Sequence, residues 1–141
     1  MRPVATTFTG QVPAPIDRVF ALLADPARLP QWLPGCTAAA AQAPLAKGRR
    51  VTVRFGTRSS LLEILEFSPP TGLGWVDREG RAGFQTFFKL QFGGGTTTVT
   101  IRYVWTPKSL GDVLRGRFLS RRNARRTFEA MIDNLRNLAL K

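Results

Sequence analysis

Three ionisable side chains lie in segments that we predict to be strands, where they could face a cavity and move protons: Glu63, Asp77 and Tyr103. Glu63 has Leu61 and Leu65 beside it on the same predicted strand face. A carboxyl group in such apolar surroundings has a raised pKa and can act as an acid or a base. The alternative for Glu63, which we favour, is a carboxylate at the rim of the sheet that pairs with an arginine. The sequence therefore names no catalytic residue.

The composition excludes several kinds of chemistry. The chain has no histidine and one cysteine, Cys36, which removes histidine acid–base catalysis, Ser-His and Cys-His nucleophile pairs and histidine metal sites. Zinc is held by these same ligands, so we predict no metal site and no cofactor, although this argument does not extend to magnesium or calcium bound by carboxylates. No base can be named beside Cys36, and we expect a small, inert thiol.

The run Gly93-Gly94-Gly95 has the composition of a phosphate-binding loop. Such loops lead into a helix whose N-terminus receives the phosphate. Here a threonine-rich predicted strand follows, so the run predicts the turn of a hairpin instead.

Large apolar side chains from several predicted elements form a candidate ligand site. They are Trp32, Phe55, Trp75, Phe88, Tyr103, Trp105, Phe128 and Met131. A site for a small hydrophobic or amphipathic molecule needs mostly apolar walls with a few polar groups, and the Tyr103 hydroxyl could orient such a ligand. Ordinary core packing explains the same residues about as well, so both interpretations stay open.

The charge is strongly basic, with a formal net charge of +12. Six basic residues fall between positions 115 and 126, with no acidic residue among them: Arg115, Arg117, Arg121, Arg122, Arg125 and Arg126. Such a run can contact a polyanion such as RNA or an anionic membrane surface, and the candidates for that contact are Arg117, Arg121, Arg122 and Arg125. The alternative, which we favour, is a set of solvated charges with no partner.

Length and composition indicate one domain, residues 1–141, with one core. Hydrophobic residues make up 43% of the 141 positions. The first residues contain no apolar run of signal-peptide length, and no stretch approaches the ~20 apolar residues of a membrane span. Since a single cysteine also excludes an internal disulfide, we predict a cytoplasmic protein.

A long helix between Ser109 and Lys141 is the element around which we expect the chain to fold. Its apolar residues recur at alternating steps of four and three, which places them in one stripe. They are Ala124, Phe128, Met131, Leu135 and Leu138, with Ile132 and Ala139 widening the stripe. Ser109 and Asp112 fit a capping box, but Gly111 and Gly116 weaken that stretch, so the start of the helix stays open. The stripe must be buried against another layer.

The chain before this helix is predicted to be mostly strand. Val4–Val12 is the first strand. A helix that begins at Pro15 follows, with Ile16, Val19, Phe20 and Leu23 in its apolar stripe, and Asp25-Pro26 begins a second, short helix. The segment 36–43 is ambiguous, because its four consecutive alanines favour a helix; we predict a strand there, since the segment is short and lies between Gly35 and Pro44. Alternating apolar residues predict further strands at 51–55, 58–67, 73–79, 84–92 and 98–105. In the strand 58–67, the alternation places Leu61, Leu65 and Phe67 on one face and Leu62 and Ile64 on the other.

The segment from Gly10 to Gly35 resembles the opening of START-like (SRPBCC) domains. It contains a strand ending in a proline turn, a helix with Val19-Phe20, then Asp25-Pro26 and Trp32. The nearest branch is the polyketide cyclase/dehydrase and lipid-transport group, and the resemblance extends over essentially the whole chain. It implies an α+β helix-grip fold: a curved antiparallel sheet around a long C-terminal helix, two short helices after the first strand, and a cavity between sheet and helix. The resemblance transfers no catalytic residue.

Three functions remain open. The first, which we favour because no catalytic set is recognisable, is binding or carriage of a small hydrophobic or amphipathic ligand such as a lipid, a polyketide or a quinone-like molecule. The second is a cyclase or dehydratase that acts on an aromatic or polyketide substrate in the same cavity, with Tyr103, Glu63 or Asp77 moving protons. The third is a basic module that contacts RNA or an anionic membrane through Arg115–Arg126.

Overall fold

The fold is an antiparallel sheet that grips the C-terminal helix. The computed structural model describes residues 4–41, 44–79, 83–106 and 121–140. Within these ranges the strands are β1 (Val4–Val12), β2 (Ala38–Ala40), β3 (Arg50–Phe55), β4 (Arg58–Ser68), β5 (Gly72–Asp77), β6 (Gln85–Gly93) and β7 (Thr96–Trp105). They form one sheet in the order β1-β7-β6-β5-β4-β3-β2. The α+β class and the helix-grip architecture are therefore confirmed.

Two short helices follow β1, as predicted. They are α1 (Ile16–Ala24) and α2 (Leu29–Trp32), the second preceded by a 3₁₀ turn at Pro26–Arg28. Asp25 caps that turn, because its Oδ1 accepts a hydrogen bond from the Ala27 backbone N–H at 3.0 Å, and Pro26 supplies the fixed backbone angle of the first position. The two helices place Trp32 against the sheet, on the side that we call the inner face.

One predicted strand face in β4 is wrong. The sequence places Phe67 opposite Leu62 and Ile64, but all three lie on the inner face. The reason is a β-bulge between Ile64 and Glu66 that shifts the pairing with β5, because one extra residue reverses the alternation beyond it. Phe67 consequently packs edge-on against Phe20 of α1, with ring centroids 5.6 Å apart.

The last helix, α3 (Arg121–Ala139), buries the predicted apolar stripe. Phe128, Met131, Ile132 and Leu135 are all buried, which confirms the periodicity argument. The helix crosses β1 at Gly10, where a Cβ atom would lie 3.0 Å from Ile132 Cγ1. The predicted capping box at Ser109 lies outside the described residues. In the part of the chain that is described, none of the helices has both the length and the hydropathy needed to cross a membrane.

Candidate ligand-binding site

A closed aromatic cluster lies at the middle of the inner face. Trp75 and Phe88 come from neighbouring strands with centroids 5.1 Å apart, and the Trp32 ring packs edge-on against Phe88 at 5.8 Å. Trp32 Nε1 donates a hydrogen bond to the Leu22 carbonyl at 2.9 Å, which fixes the ring against the sheet. All three rings are buried, as is Met131 of α3. Of the predicted site residues, Trp32, Phe88 and Met131 are at most 1% exposed, and Trp75 and Phe128 are each 5% exposed.

A second aromatic cluster joins β1, β7 and α3. Phe128 stacks on Phe8 at 5.5 Å, Phe8 meets Tyr103 edge-on at 6.2 Å, and Phe84 lies 5.6 Å from Tyr103. Phe8 thus stands between Tyr103 and Phe128, which are both residues of the predicted ligand site. Sequence reasoning missed Phe8 as a site residue. The signal that points to it is its place in β1, where it pairs with the buried Ile101.

Two other predicted residues lie nearer the surface. Trp105 is the last residue of β7 and is partly exposed. Phe55 ends β3, is also partly exposed, and has the guanidinium of Arg58 5.1 Å from its ring centroid. The inner face is therefore closed in the middle and less covered where β3 and β7 end.

Four polar side chains form a diagonal row across the inner face. Tyr103 pairs with Thr86, and Thr86 pairs with Trp75. Asp77 is two residues beyond Trp75 and pairs with Leu62, two residues beyond Ser60. Tyr103, Thr86, Asp77 and Ser60 thus come from the four adjacent strands β7, β6, β5 and β4. They share one face because directly paired residues point to the same side of a sheet, and diagonal neighbours stand about 7–8 Å apart. Thr86, Asp77 and Ser60 are buried.

Glu63 lies on the opposite, outer face of the sheet. Its Oε2 accepts a hydrogen bond from Arg78 Nη2 at 3.2 Å, and Arg50 Nη2 lies 3.5 Å from Oε1. The hydrogen bond from Arg78 is the main cause that lowers the pKa of Glu63, since both arginines favour the charged carboxylate. The hypothesis of a raised pKa is wrong, and the paired rim carboxylate is confirmed.

The Tyr103 hydroxyl should ionise only at strongly alkaline pH. Burial raises the pKa of Tyr103 to about 12, because a buried phenolate loses the hydration that stabilises it. Tyr103 is the single tyrosine of the chain, so tyrosinate absorbance reports this residue alone. We expect a midpoint of about 12 in the folded protein and of about 10 after unfolding in guanidinium chloride.

The same shift predicts how stability depends on pH. The pKa of Tyr103 is higher in the folded protein than in the unfolded one. Its contribution to folding stability is therefore fully present below the unfolded pKa of about 10. It is lost as the pH rises through the folded pKa of about 12. Tyr103→Phe serves as the control, because it removes the absorbance change altogether. A midpoint near the unfolded value in the folded protein would contradict the burial.

Cys36 is a buried free thiol. Burial raises the pKa of the Cys36 thiol, and its Sγ lies 3.5 Å from the Ala38 carbonyl oxygen as a weak donor, in keeping with an inert thiol. Among the described residues, no three cysteine or carboxylate side chains are grouped so that they could hold a metal ion.

The arginine run is only partly described. Arg122, Arg125 and Arg126 are exposed on α3, and the Arg125 guanidinium lies 6.0 Å from the Phe8 ring centroid. Arg121 begins α3, whereas Arg115 and Arg117 lie outside the described residues. Contact with a polyanion stays a prediction.

An open groove of about 310 Å³ runs between β1 and α3. Its apolar part is formed by Gly10, Phe128 and Ile132, and its rim carries Glu129 and Arg136. Arg136 Nε donates to the Gln11 carbonyl at 2.8 Å, which ties the helix to this edge of the sheet. The groove is thus separate from the aromatic cluster around Trp32.

Three solved structures have the same fold at low sequence identity. BH1534 from Bacillus halodurans has a TM-score of 0.77 at 14% identity, with 99% of each chain covered. A START superfamily protein from Mycobacterium smegmatis has a TM-score of 0.72 at 15% identity, with 96% of each covered. DynU16, a protein in the dynemicin biosynthetic locus, has a TM-score of 0.70 at 22% identity; the match covers 94% of this chain and 46% of DynU16, so this chain spans about half of that protein. These likenesses show the fold.

The family is shown by the sequence. No curated protein matches the chain, but the profile of the family described as polyketide cyclase/dehydrase and lipid transport matches residues 3–139. That match covers nearly the whole chain, and it agrees with the helix-grip fold and the START superfamily structure above. This protein therefore belongs to the polyketide cyclase/dehydrase and lipid transport family.

Proposed function

We propose that this protein binds a small, mainly hydrophobic ligand between the inner face of the sheet and α3. The family supports this function, because its description includes lipid transport and enzymes that act on polyketides. In our proposal the ligand lies where β3 and β7 end, beside Phe55, Tyr103 and Trp105. The buried residues Trp32, Trp75, Phe88 and Met131 form the floor, and Phe128 forms the wall on the helix side.

The observation that carries the proposal is the uneven covering of the inner face. Phe88, Ile101 and Trp75 in its middle are at most 5% exposed, whereas Tyr103 and Trp105 on the same face remain partly exposed. Large apolar side chains that are left uncovered next to a closed core are typical of ligand sites. The row of polar side chains on this face adds the few hydrogen-bonding groups that such a site uses to orient a ligand.

A neutral dye tests the proposal. Nile red should bind saturably with one molecule per chain, and organic extraction of the purified protein should release a small hydrophobic molecule that mass spectrometry identifies. Trp105→Ala should weaken dye binding about tenfold, since it removes a large apolar wall. Phe92→Ala is the matched control, because Phe92 is 49% exposed at the opposite end of the inner face. An absence of saturable dye binding would overturn the proposal.

A second candidate function is a cyclase or dehydratase. The observation that favours it is the presence of two ionisable groups, Asp77 and Tyr103, on the same inner face, with Asp77 9% exposed. Glu63, the third predicted proton carrier, lies on the outer face and is therefore not a candidate for proton transfer in this site. For an enzyme, Asp77→Asn should abolish turnover of an aromatic polyketide substrate while leaving Nile red affinity within about twofold. Turnover that survives this substitution would exclude Asp77 as the proton carrier.

A further inference from the structure

The Ser60 hydroxyl is a buried polar group for which the described part of the chain supplies no hydrogen-bond partner. Ser60 is 1% exposed, and its Oγ has no hydrogen-bond partner among the described residues. A buried hydroxyl normally has at least one partner, since leaving it without one is unfavourable. Ser60 faces inward between β3 and β5, so a ligand on the inner face is a natural source of the missing hydrogen bond.

Asp77 is the inner-face neighbour of Ser60. It pairs with Leu62, two residues along β4 from Ser60, which places the two polar side chains diagonally at about 7–8 Å between backbones. Asp77 Oδ1 accepts a hydrogen bond from the Glu79 N–H at 3.0 Å. An ionised carboxylate only accepts hydrogen bonds, and its charge repels other anions, more strongly where solvent is excluded.

We propose that Ser60 and Asp77 select a neutral ligand that carries a hydroxyl group, and that they disfavour a carboxylate. The inference rests on the proposed function and names the ligand chemistry of that site. An alcohol or phenol can donate one further hydrogen bond to the Asp77 carboxylate, and its oxygen can accept a hydrogen bond from the Ser60 hydroxyl. A carboxylate has no proton to give Asp77 and brings a second negative charge beside it.

Arg58 is a cation on the same strand and the same face as Ser60. It precedes Ser60 by two residues, and its guanidinium lies over the Phe55 ring at 5.1 Å. Arg58 is exposed, so solvent and salt screen its charge. An anionic ligand held by Arg58 is the competing outcome, and the experiment below separates the two.

Three probes of one shape test the selection. Naphthalene, 2-naphthol and 2-naphthoate share a ring system and differ in one substituent, and each is used to displace Nile red at pH 7. We expect 2-naphthol to bind about tenfold more tightly than naphthalene, the value of one good hydrogen bond to a charged group, and 2-naphthoate to bind most weakly. Ser60→Ala and Asp77→Asn should each remove most of the advantage of 2-naphthol, and Asp77→Asn should improve 2-naphthoate.

The neighbours of these residues supply matched controls. Ser59 is exposed and faces outward, and Glu63 is a carboxylate on the outer face, so Ser59→Ala and Glu63→Gln should leave all three affinities unchanged. Ser60→Ala should not lower the thermal midpoint, because it removes a buried hydroxyl that has no hydrogen-bond partner within the described ranges. The wild-type ranking of the probes needs no variant, so it tests the inference even if Asp77→Asn fails to fold.

The outcomes separate this inference from the proposed function. If Nile red does not bind, the ligand site itself is overturned and the selection with it. If Nile red binds but 2-naphthol has no advantage over naphthalene, or 2-naphthoate binds most tightly, the selection alone is overturned. An equal loss of 2-naphthol affinity in Ser59→Ala would also overturn it.

Discussion

Replacing Trp32 with alanine should lower the free energy of unfolding by about 3–5 kcal/mol, as for a fully buried aromatic residue. The side chain is 0% exposed and packs on Trp75 and Phe88 at centroid distances of 6.4 and 5.8 Å. Truncation opens a cavity between α2 and the sheet. It also leaves the Leu22 carbonyl without the Nε1 donor at 2.9 Å. Denaturant unfolding followed by circular dichroism measures the change.

Two further variants calibrate this result. Trp32→Phe keeps an aromatic ring but removes the Nε1 donor, so its free energy of unfolding should lie between that of the wild type and that of Trp32→Ala. Phe92→Ala truncates an aromatic residue that is 49% exposed, and it should change the free energy of unfolding by no more than about 0.5 kcal/mol. A loss for Trp32→Ala as small as that for Phe92→Ala would show that Trp32 does not hold α2 on the sheet.

Replacing Gly10 with valine should lower the free energy of unfolding by about 1–3 kcal/mol, the usual effect of overpacking. A Cβ atom at this position would lie 3.0 Å from Ile132 Cγ1 and 3.2 Å from Phe128 Cζ. Since both neighbours belong to the buried stripe of α3, the helix must move away from β1 or its side chains must leave their preferred rotamers. Thermal unfolding of the variant measures this effect.

The control for Gly10 is Gly93 in β6. A Cβ atom at Gly93 would have no atom within 4 Å, so Gly93→Val should be close to neutral. Ile132→Ala in the Gly10→Val background should recover part of the loss, and the double-mutant cycle should give a coupling of about 0.5–3 kcal/mol. Strict additivity of the two substitutions would mean that Gly10 and Ile132 do not share the space.

These two effects concern packing, and they lie apart from the proposed binding positions. Trp32 packs α2 against the sheet, and Gly10 allows α3 to approach it closely. Trp105, in contrast, is partly exposed on the inner face, and the Ser60 hydroxyl has no hydrogen-bond partner among the residues that the structure describes. We therefore expect Trp105→Ala to weaken ligand binding with a smaller loss of stability than Trp32→Ala. This separation distinguishes core aromatics from ligand-contacting aromatics, which the sequence leaves open.

Local periodicity determined most of the secondary structure. The stripe from Ala124 to Leu138 predicts the buried side of α3, because residues three and four apart share a helix face whatever the rest of the chain does. The strand Val4–Val12 was predicted with the observed bounds, and the Asp25 cap depends on residues two apart. Such features follow from short stretches of chain, so the sequence alone is sufficient for them.

The composition of the site depended on the pairing of distant strands. One bulge in β4 moved Phe67 to the inner face, and the antiparallel register placed Ser60 near Asp77 and left Glu63 outside with Arg50 and Arg78. Alternation along a strand says which residues share a face, but not which of the two faces is covered. That choice, like the insertion of Phe8 between Tyr103 and Phe128, was decided by the packing of helices against the sheet, which involves residues far apart in sequence.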